Sequence, residues 1–336
     1  MFVGGRCRRF AGPRKDASDL PVDFGAARGD SDTGHGGQGM AQKDRIDAFG
    51  ATALTGFAAL LAFNQVVIAV VNEGLQPVFF AGLRSLGGAL CIWLWMLARG
   101  LPVRIAPGTW PAGVLIGVFF AVEFVCLFVA LDLTTVTRTS VIFYTMPVWL
   151  ALLGHVLIPG ERITGRKGAG LALAFAGVVV AITVRGGAAG EASLIGDLCA
   201  LVAALTWAGI ALVAKASALR SVRPETQLLW QLAVSAPLLL LAAFAFGPFL
   251  RDPNWIHWAG LGFQILAIVS AGFLVWLWLL SIYPAGAVAA FSFLSPVFGV
   301  FLGWWLLDER VGWEVGAALT LVVAGLILIN RPRRAL

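Results

Sequence analysis

The sequence predicts an all-α integral membrane protein with ten transmembrane helices, arranged as two inverted five-helix repeats. Three observations predict it. The first is composition: of 336 residues, 59% are hydrophobic and only 12% charged, whereas soluble domains run at about half apolar and about a quarter charged. The second is a series of ten long apolar runs. The third is a charged turn that occurs twice, as "GERITGRKGAG" at 160–170 and as "DERVGWEVGAA" at 308–318.

The chain opens on a different kind of sequence. Residues 1–46 are rich in Gly, Arg, Asp and Ser and contain no apolar run, so they are expected to form a disordered cytoplasmic tail. Arg8 and Arg9 are not followed by the apolar stretch that a secretory or twin-arginine signal needs. Met40 opens "MAQKDRIDAFG" just before the first apolar run and is a second candidate start, which would make residues 1–39 a start-site artefact. The N-terminal mass of the native protein distinguishes the two starts.

A helix needs about 20 mostly apolar residues to cross a bilayer. Ten segments qualify: 49–71, 78–98, 110–131, 137–158, 168–184, 194–214, 226–247, 257–281, 284–306 and 312–330. Turn-forming stretches such as "EGLQP", "RGLPVRIAPG", "RGGAAGE" and "GPFLRDPN" punctuate them. A membrane barrel would show alternating polarity rather than solid runs.

Lys and Arg distribution sets the orientation. With the N-terminus in the cytoplasm, and the tail left out, eleven positive residues fall on the cytoplasmic side and four on the outer side (Arg138, Arg185, Arg251 and Arg310). Both termini are therefore expected in the cytoplasm. The net charge of +6 sits mostly in the tail and short loops, where topology explains it, so it does not indicate nucleic-acid binding. Arginine outnumbers lysine 20 to 4, and Ala and Gly are abundant. That bias suits a GC-rich bacterial genome and hence a bacterial inner membrane. The four cysteines, Cys7, Cys91, Cys126 and Cys199, have neither metal-ligand nor disulfide-framework spacing.

The repeat is quantitative. Shifting 161–177 by 148 onto 309–325 gives eight identities in 17 positions, Glu161/Glu309, Arg162/Arg310 and Gly177/Gly325 among them. Pro147 and Pro296 correspond at a shift of 149. The copies lie five spans apart, an odd number, so the two halves have opposite orientations. Inverted repeats let related halves exchange inward- and outward-facing shapes around a midplane site. The shared Glu–Arg pair is read as structural, setting the turn with its acid near the start of the following helix.

Several features together resemble the drug/metabolite transporter superfamily in its EamA-type branch. They are the five-plus-five helices, "AGLRSL" in the second span, and a proline followed about 14 residues later by "GER" or "DER" and a "GxxL…AG" helix. "IGDLCALVAALTWAGIALVAKA" at 195–216 is similar to the opening of that family's second half. The resemblance covers 48–331 and implies repeats at 48–184 and 194–331. It further implies a secondary transporter of small metabolites, amino acids among them, acting as a monomer or homodimer in the lipid bilayer. The first span departs from the family's frequent aromatic-Gly pair, reading "FNQVVIAVVNEG".

Polar residues inside the spans are the candidate substrate or coupling groups. Glu123 lies within span three, where an ionised carboxylate costs about 2.5–3.5 kcal/mol. It reads as a proton-coupling site or counter-ion for a substrate amine, or else as a static paired or protonated acid. Arg84 matches the arginine of the resembled "LR" motif; it reads as a partner of Glu123 or of a substrate carboxylate, or as a snorkelling side chain. Asn64 and Gln65, near the middle of span one, would line a cavity or bond between helices. Tyr144, Trp207 and Ser292 are weaker candidates, as are Trp230, Gln231 and Trp276. Pro147 and Pro296 interrupt spans four and nine as gating hinges or fixed kinks. Small-residue pairs at Gly113/Gly117, Ala172/Ala176 and Gly299/Gly303 are expected to allow close helix contacts.

An enzyme is not expected. His35, His155 and His257 are scattered, no acid–base or metal set stands out, and no nucleotide loop is present, so no cofactor is implied. With no ATP-binding module, transport would draw on an ion gradient or the substrate's own gradient. A non-transporting receptor would instead lack a water-accessible centre, which cysteines introduced at positions 64 and 123 would report.

Overall fold

The structure is a computed structural model that describes residues 46–103, 106–158, 163–183, 193–283 and 291–330. The tail, the Met40 start and the Glu161–Arg162 pair lie outside the described residues. The first repeat comprises α1 (Ala48–Gly74), α2 (Pro77–Ala98), α3 (Trp110–Leu133), a fourth span divided into α4 (Val136–Phe143) and α5 (Met146–Leu157), and α6 (Gly165–Thr183). The second comprises α7 (Leu194–Ala216), α8 (Pro224–Ala242), an eighth span, α11 (Leu294–Leu306) and α12 (Trp313–Asn330). That eighth span runs α9 (Trp255–Phe263), a π-helical segment (Gln264–Gly272) and α10 (Phe273–Ile282). Among the described residues, eight of these spans are long and apolar enough to cross a membrane, and the described parts of the other two, α11 and α12, are shorter.

Local chemistry starts these helices where the sequence allows. The Asp47 carboxylate accepts from the Gly50 N–H at 2.8 Å to open α1. Ser193 caps α7 and Thr135 caps α4. Asn254 and His257 form a reciprocal capping box at α9, which gives His257 a structural role. Pro77, Pro111, Pro147 and Pro224 occupy first-turn positions, where a missing N–H costs nothing.

Glycine permits a close backbone contact between the repeats, at α6 and α12. A Cβ on Gly170 would stand 2.8 Å from the Gly325 carbonyl oxygen, and one on Gly177 would stand 2.8 Å from the Ala318 carbonyl oxygen. No larger residue fits between backbones at that separation. A shift of 148 carries Gly170 onto Ala318 and Gly177 onto Gly325, so the two approaches exchange under the repeat. The contact stripe on α6 is thus Gly170, Ala174 and Gly177. Ala172 and Ala176 face outward instead, which corrects one expected small-residue contact. The Gly113/Gly117 and Gly299/Gly303 pairs do face close neighbours, Trp230 and Val234 for the first and Ser140 and Glu309 for the second.

Glu309 works differently from the sequence expectation. Its carboxylate accepts from the backbone N–H groups of Val136 at 2.6 Å and Thr137 at 2.8 Å, and from the Thr137 hydroxyl. It therefore caps α4, a helix of the opposite repeat, rather than the helix that follows it. Sequence neighbours cannot show this, because the cap spans 173 positions. Arg310 is exposed beside it. Glu309→Ala leaves two first-turn donors of α4 unsatisfied and is expected to cost about 1–2 kcal/mol, read as a lower melting temperature in detergent. An unchanged melting temperature would show that the clasp carries no stability.

Candidate functional site

Every residue of α4 is buried, and contacts from both repeats hold it. Arg138, 1% exposed, donates from Nε to Asp197 Oδ1 at 3.1 Å and from Nη2 to Asp197 Oδ2 at 2.6 Å, and it also reaches the Ala181 carbonyl oxygen. Asp197 is fully buried and also accepts from the Thr134 hydroxyl at 3.2 Å. The sequence placed Arg138 in an outer loop; with Asp197, in the first turn of α7, it forms a bidentate buried ion pair between the repeats. Such a pair compensates its desolvation through geometry and hydrogen bonds.

Deeper in the bundle, the two adjacent amides of α1 diverge as their roughly 100° separation requires. Gln65, 1% exposed, accepts from the Ser140 hydroxyl at 2.5 Å, and its Nε2 has no hydrogen-bond partner. Asn64 turns to the eighth span, where its Oδ1 accepts from Gln264 Nε2 at 2.5 Å. Gln264 Oε1 accepts in turn from Arg84 Nε at 3.0 Å. Asn64, Gln264 and Arg84 thus form one buried chain linking α1, α2 and the π-helical segment.

The Arg84 guanidinium lies over the Phe124 ring, with Cζ 4.2 Å from its centroid, a cation–π contact in a dry setting. Burial of Arg84 rules out snorkelling. Glu123, the residue before Phe124, is 4% exposed, and Arg84 supplies an opposing charge in its neighbourhood. Yet the pair is not joined by a direct ion pair. Arg84 Nη1, Glu123 Oε2 and the neighbouring Ser85 Oγ are all buried without a hydrogen-bond partner. A buried polar atom left without a hydrogen-bond partner costs about 1–3 kcal/mol, and here three such atoms occur on α2 and α3.

The weaker candidates separate from this cluster. Trp207 stacks on Phe143 with centroids 4.9 Å apart, and Tyr144 packs edge-on against Phe143. Tyr144 and Thr145 mark the break between α4 and α5, with Pro147 just after it. Pro296 is buried in the first turn of α11. The side chain of Ser292 lies outside the described residues. A groove of about 410 Å³, lined by apolar residues of α1 and α9 with Leu306 and Leu307, contains none of the charged candidates.

Sequence reasoning missed Gln264, although "LGFQILAIV" offers the same signal as Asn64 and Gln65: a lone amide inside an apolar span. It also missed the Arg138–Asp197 pair, for which spacing gives no signal. No group of three or more His, Cys, Asp or Glu side chains suited to a metal occurs among the described residues.

Comparison with known proteins agrees with this architecture. The chain is 24% identical over 269 residues to the Bacillus subtilis (strain 168) uncharacterized transporter YoaV, covering 79% of this chain and 91% of that protein. It is 28% identical over 296 residues to transporter YvbV of the same organism, covering 83% and 92%. It is also 28% identical over 279 residues to a probable amino-acid metabolite efflux pump of Escherichia coli (strain K12), covering 79% and 89%. One solved crystal structure shares the fold, with a TM-score of 0.59 at 21% identity, covering 83% of this chain and 97% of the other. The model of the EamA-like transporter family matches twice, at residues 48–183 and 194–331. With both five-helix halves matched, the chain belongs to the EamA-like transporter family.

Proposed function

We propose that this transporter exports a small zwitterionic metabolite, an amino acid or a close relative, by alternating access, and that the substrate lies between the repeats at Arg84 and Glu123. One observation carries the reading. Arg84 Nη1, a guanidinium donor, and Glu123 Oε2, a carboxyl oxygen, are both buried without a hydrogen-bond partner, and Arg84 lies within electrostatic reach of Glu123. A molecule with a carboxylate and an ammonium group would satisfy both. The E. coli relative's name supports the substrate class.

The same reading makes Glu123 a site of proton coupling and places Asn64 at the wall of the substrate site. The sequence candidates Gln65, Tyr144 and Trp207, which gather against α4 apart from the Arg84 cluster, and Ser292 are kept as outlying substrate contacts, with Pro147 and Pro296 as hinges. Glu309 and Arg310 are structural, as are Glu161 and Arg162 by the repeat. The protein resides in a bacterial inner membrane with both termini cytoplasmic, as a monomer or homodimer. Arg138 is paired inside the bundle, so the unpaired outer positives are fewer than the sequence count suggested, which strengthens the charge bias.

Counterflow in proteoliposomes tests the reading, with the common L-amino acids, simple amines and simple carboxylates as competitors. Amino acids are expected to exchange, and compounds bearing a single charge to exchange at least about tenfold more slowly. Exchange of amines and carboxylates alone, or of none of the three classes, would overturn it.

A further inference from the structure

Gln264 joins the two polar groups of the central cluster, and hydrogen-bond chemistry fixes its orientation. A guanidinium only donates, so the carboxamide atom facing Arg84 Nε must be oxygen. Gln264 Nε2 then faces Asn64, where it donates to Oδ1 at 2.5 Å and to the backbone carbonyl oxygen at 3.3 Å. The arginine thereby sets the polarity of the whole chain, and Gln264 is gripped at both ends. It is fully buried and opens the π-helical segment Gln264–Gly272. Within that segment the Ser270 hydroxyl donates to the Ile265 carbonyl oxygen, five residues back. π-helical turns are rare and recur at functional sites; here one begins where the eighth span meets Arg84.

The choice of a neutral acceptor has a consequence. A carboxylate at this position would orient Arg84 equally well but would cancel its charge. A glutamine holds the Nε edge, the Phe124 ring holds the guanidinium face, and Nη1 stays unpartnered with its charge uncancelled. We propose that Gln264 is a positioning residue for substrate recognition: it orients the Arg84 guanidinium without neutralising it, so that Arg84 can bind a substrate carboxylate. This rests on the reading of Arg84 as the carboxylate contact.

The test uses full-length protein in proteoliposomes, with the common L-amino acids and their α-carboxamides as probes. The amides keep the ammonium group and lose the carboxylate. Gln264→Glu is expected to raise KM for the transported amino acid about tenfold or more while amide transport changes little, because only the carboxylate contact is lost. Gln264→Leu is expected to raise the same KM by less, since Arg84 keeps its charge but loses its orientation. Arg84→Gln serves as the control and should abolish acid-over-amide discrimination. A purely structural role for Gln264 would depress acid and amide transport together in both Gln264 variants, and that result overturns the proposal. If Arg84→Gln removes discrimination while both Gln264 variants retain it, the positioning role alone fails. If Arg84→Gln leaves discrimination intact, or no amino acid is transported, the substrate site itself is misassigned and the role of Gln264 falls with it.

Discussion

Asp197→Ala is expected to destabilise the protein by about 3–5 kcal/mol, because it leaves the Arg138 guanidinium buried without its counter-charge. Arg138 is 1% exposed and its partner fully buried, so water cannot screen the loss. The remaining contacts of Arg138 are not enough, since a carbonyl such as that of Ala181 is neutral. The cost should appear as a much lower melting temperature in detergent. Replacing both residues by apolar ones, Arg138→Met with Asp197→Leu, should recover most of that loss, because burying two hydrophobic side chains avoids the desolvation penalty. The double change separates stability from function. If the pair only holds the fold, the apolar variant transports normally. If the pair must open and close as the repeats exchange shape, that variant is stable yet slow. A single variant as stable as wild type would show the ion pair to be energetically neutral.

Glu123→Gln is expected to abolish proton-driven transport while leaving protein abundance intact. The substitution preserves shape and fixes the group in its uncharged form, so the proton can no longer be taken up and released. Substrate-for-substrate exchange needs no such cycle and should persist, weakened by loss of the ammonium contact. Flux of the wild type is expected to vary between about pH 5 and pH 8 and that of the variant to be flat. Wild-type-like flux from Glu123→Gln across that range would remove Glu123 from the coupling mechanism.

Much of the fold was legible because a bilayer imposes a simple code. A span must be long, apolar and helical, since nothing in the hydrocarbon can satisfy an exposed backbone. Each of the ten expected spans contains a helical segment among the described residues, although the expected start of the ninth, at 284–290, lies outside them. The repeat was equally plain, because "GER" and "DER" kept their spacing from the "GxxL…AG" helices. That Asn64 and Gln65 must find polar partners followed from their place in an apolar span. The partner of each did not, since Gln264 and Ser140 are 200 and 75 positions away.

The sequence by itself determined what the solvent demands: helical spans, their number, the doubling of the fold and the few polar residues whose burial had to be compensated. Tertiary structure alone decided which of those residues compensate one another. Glu309 belongs to α4 rather than to its own turn, and Arg138 to Asp197 rather than to a loop. Arg84 is held by Gln264 and Phe124, with no direct ion pair to Glu123. The physical reason is that hydrophobicity acts residue by residue along the chain, whereas a hydrogen bond or ion pair is directional. Its partner is fixed only when helices from opposite repeats pack at a definite register.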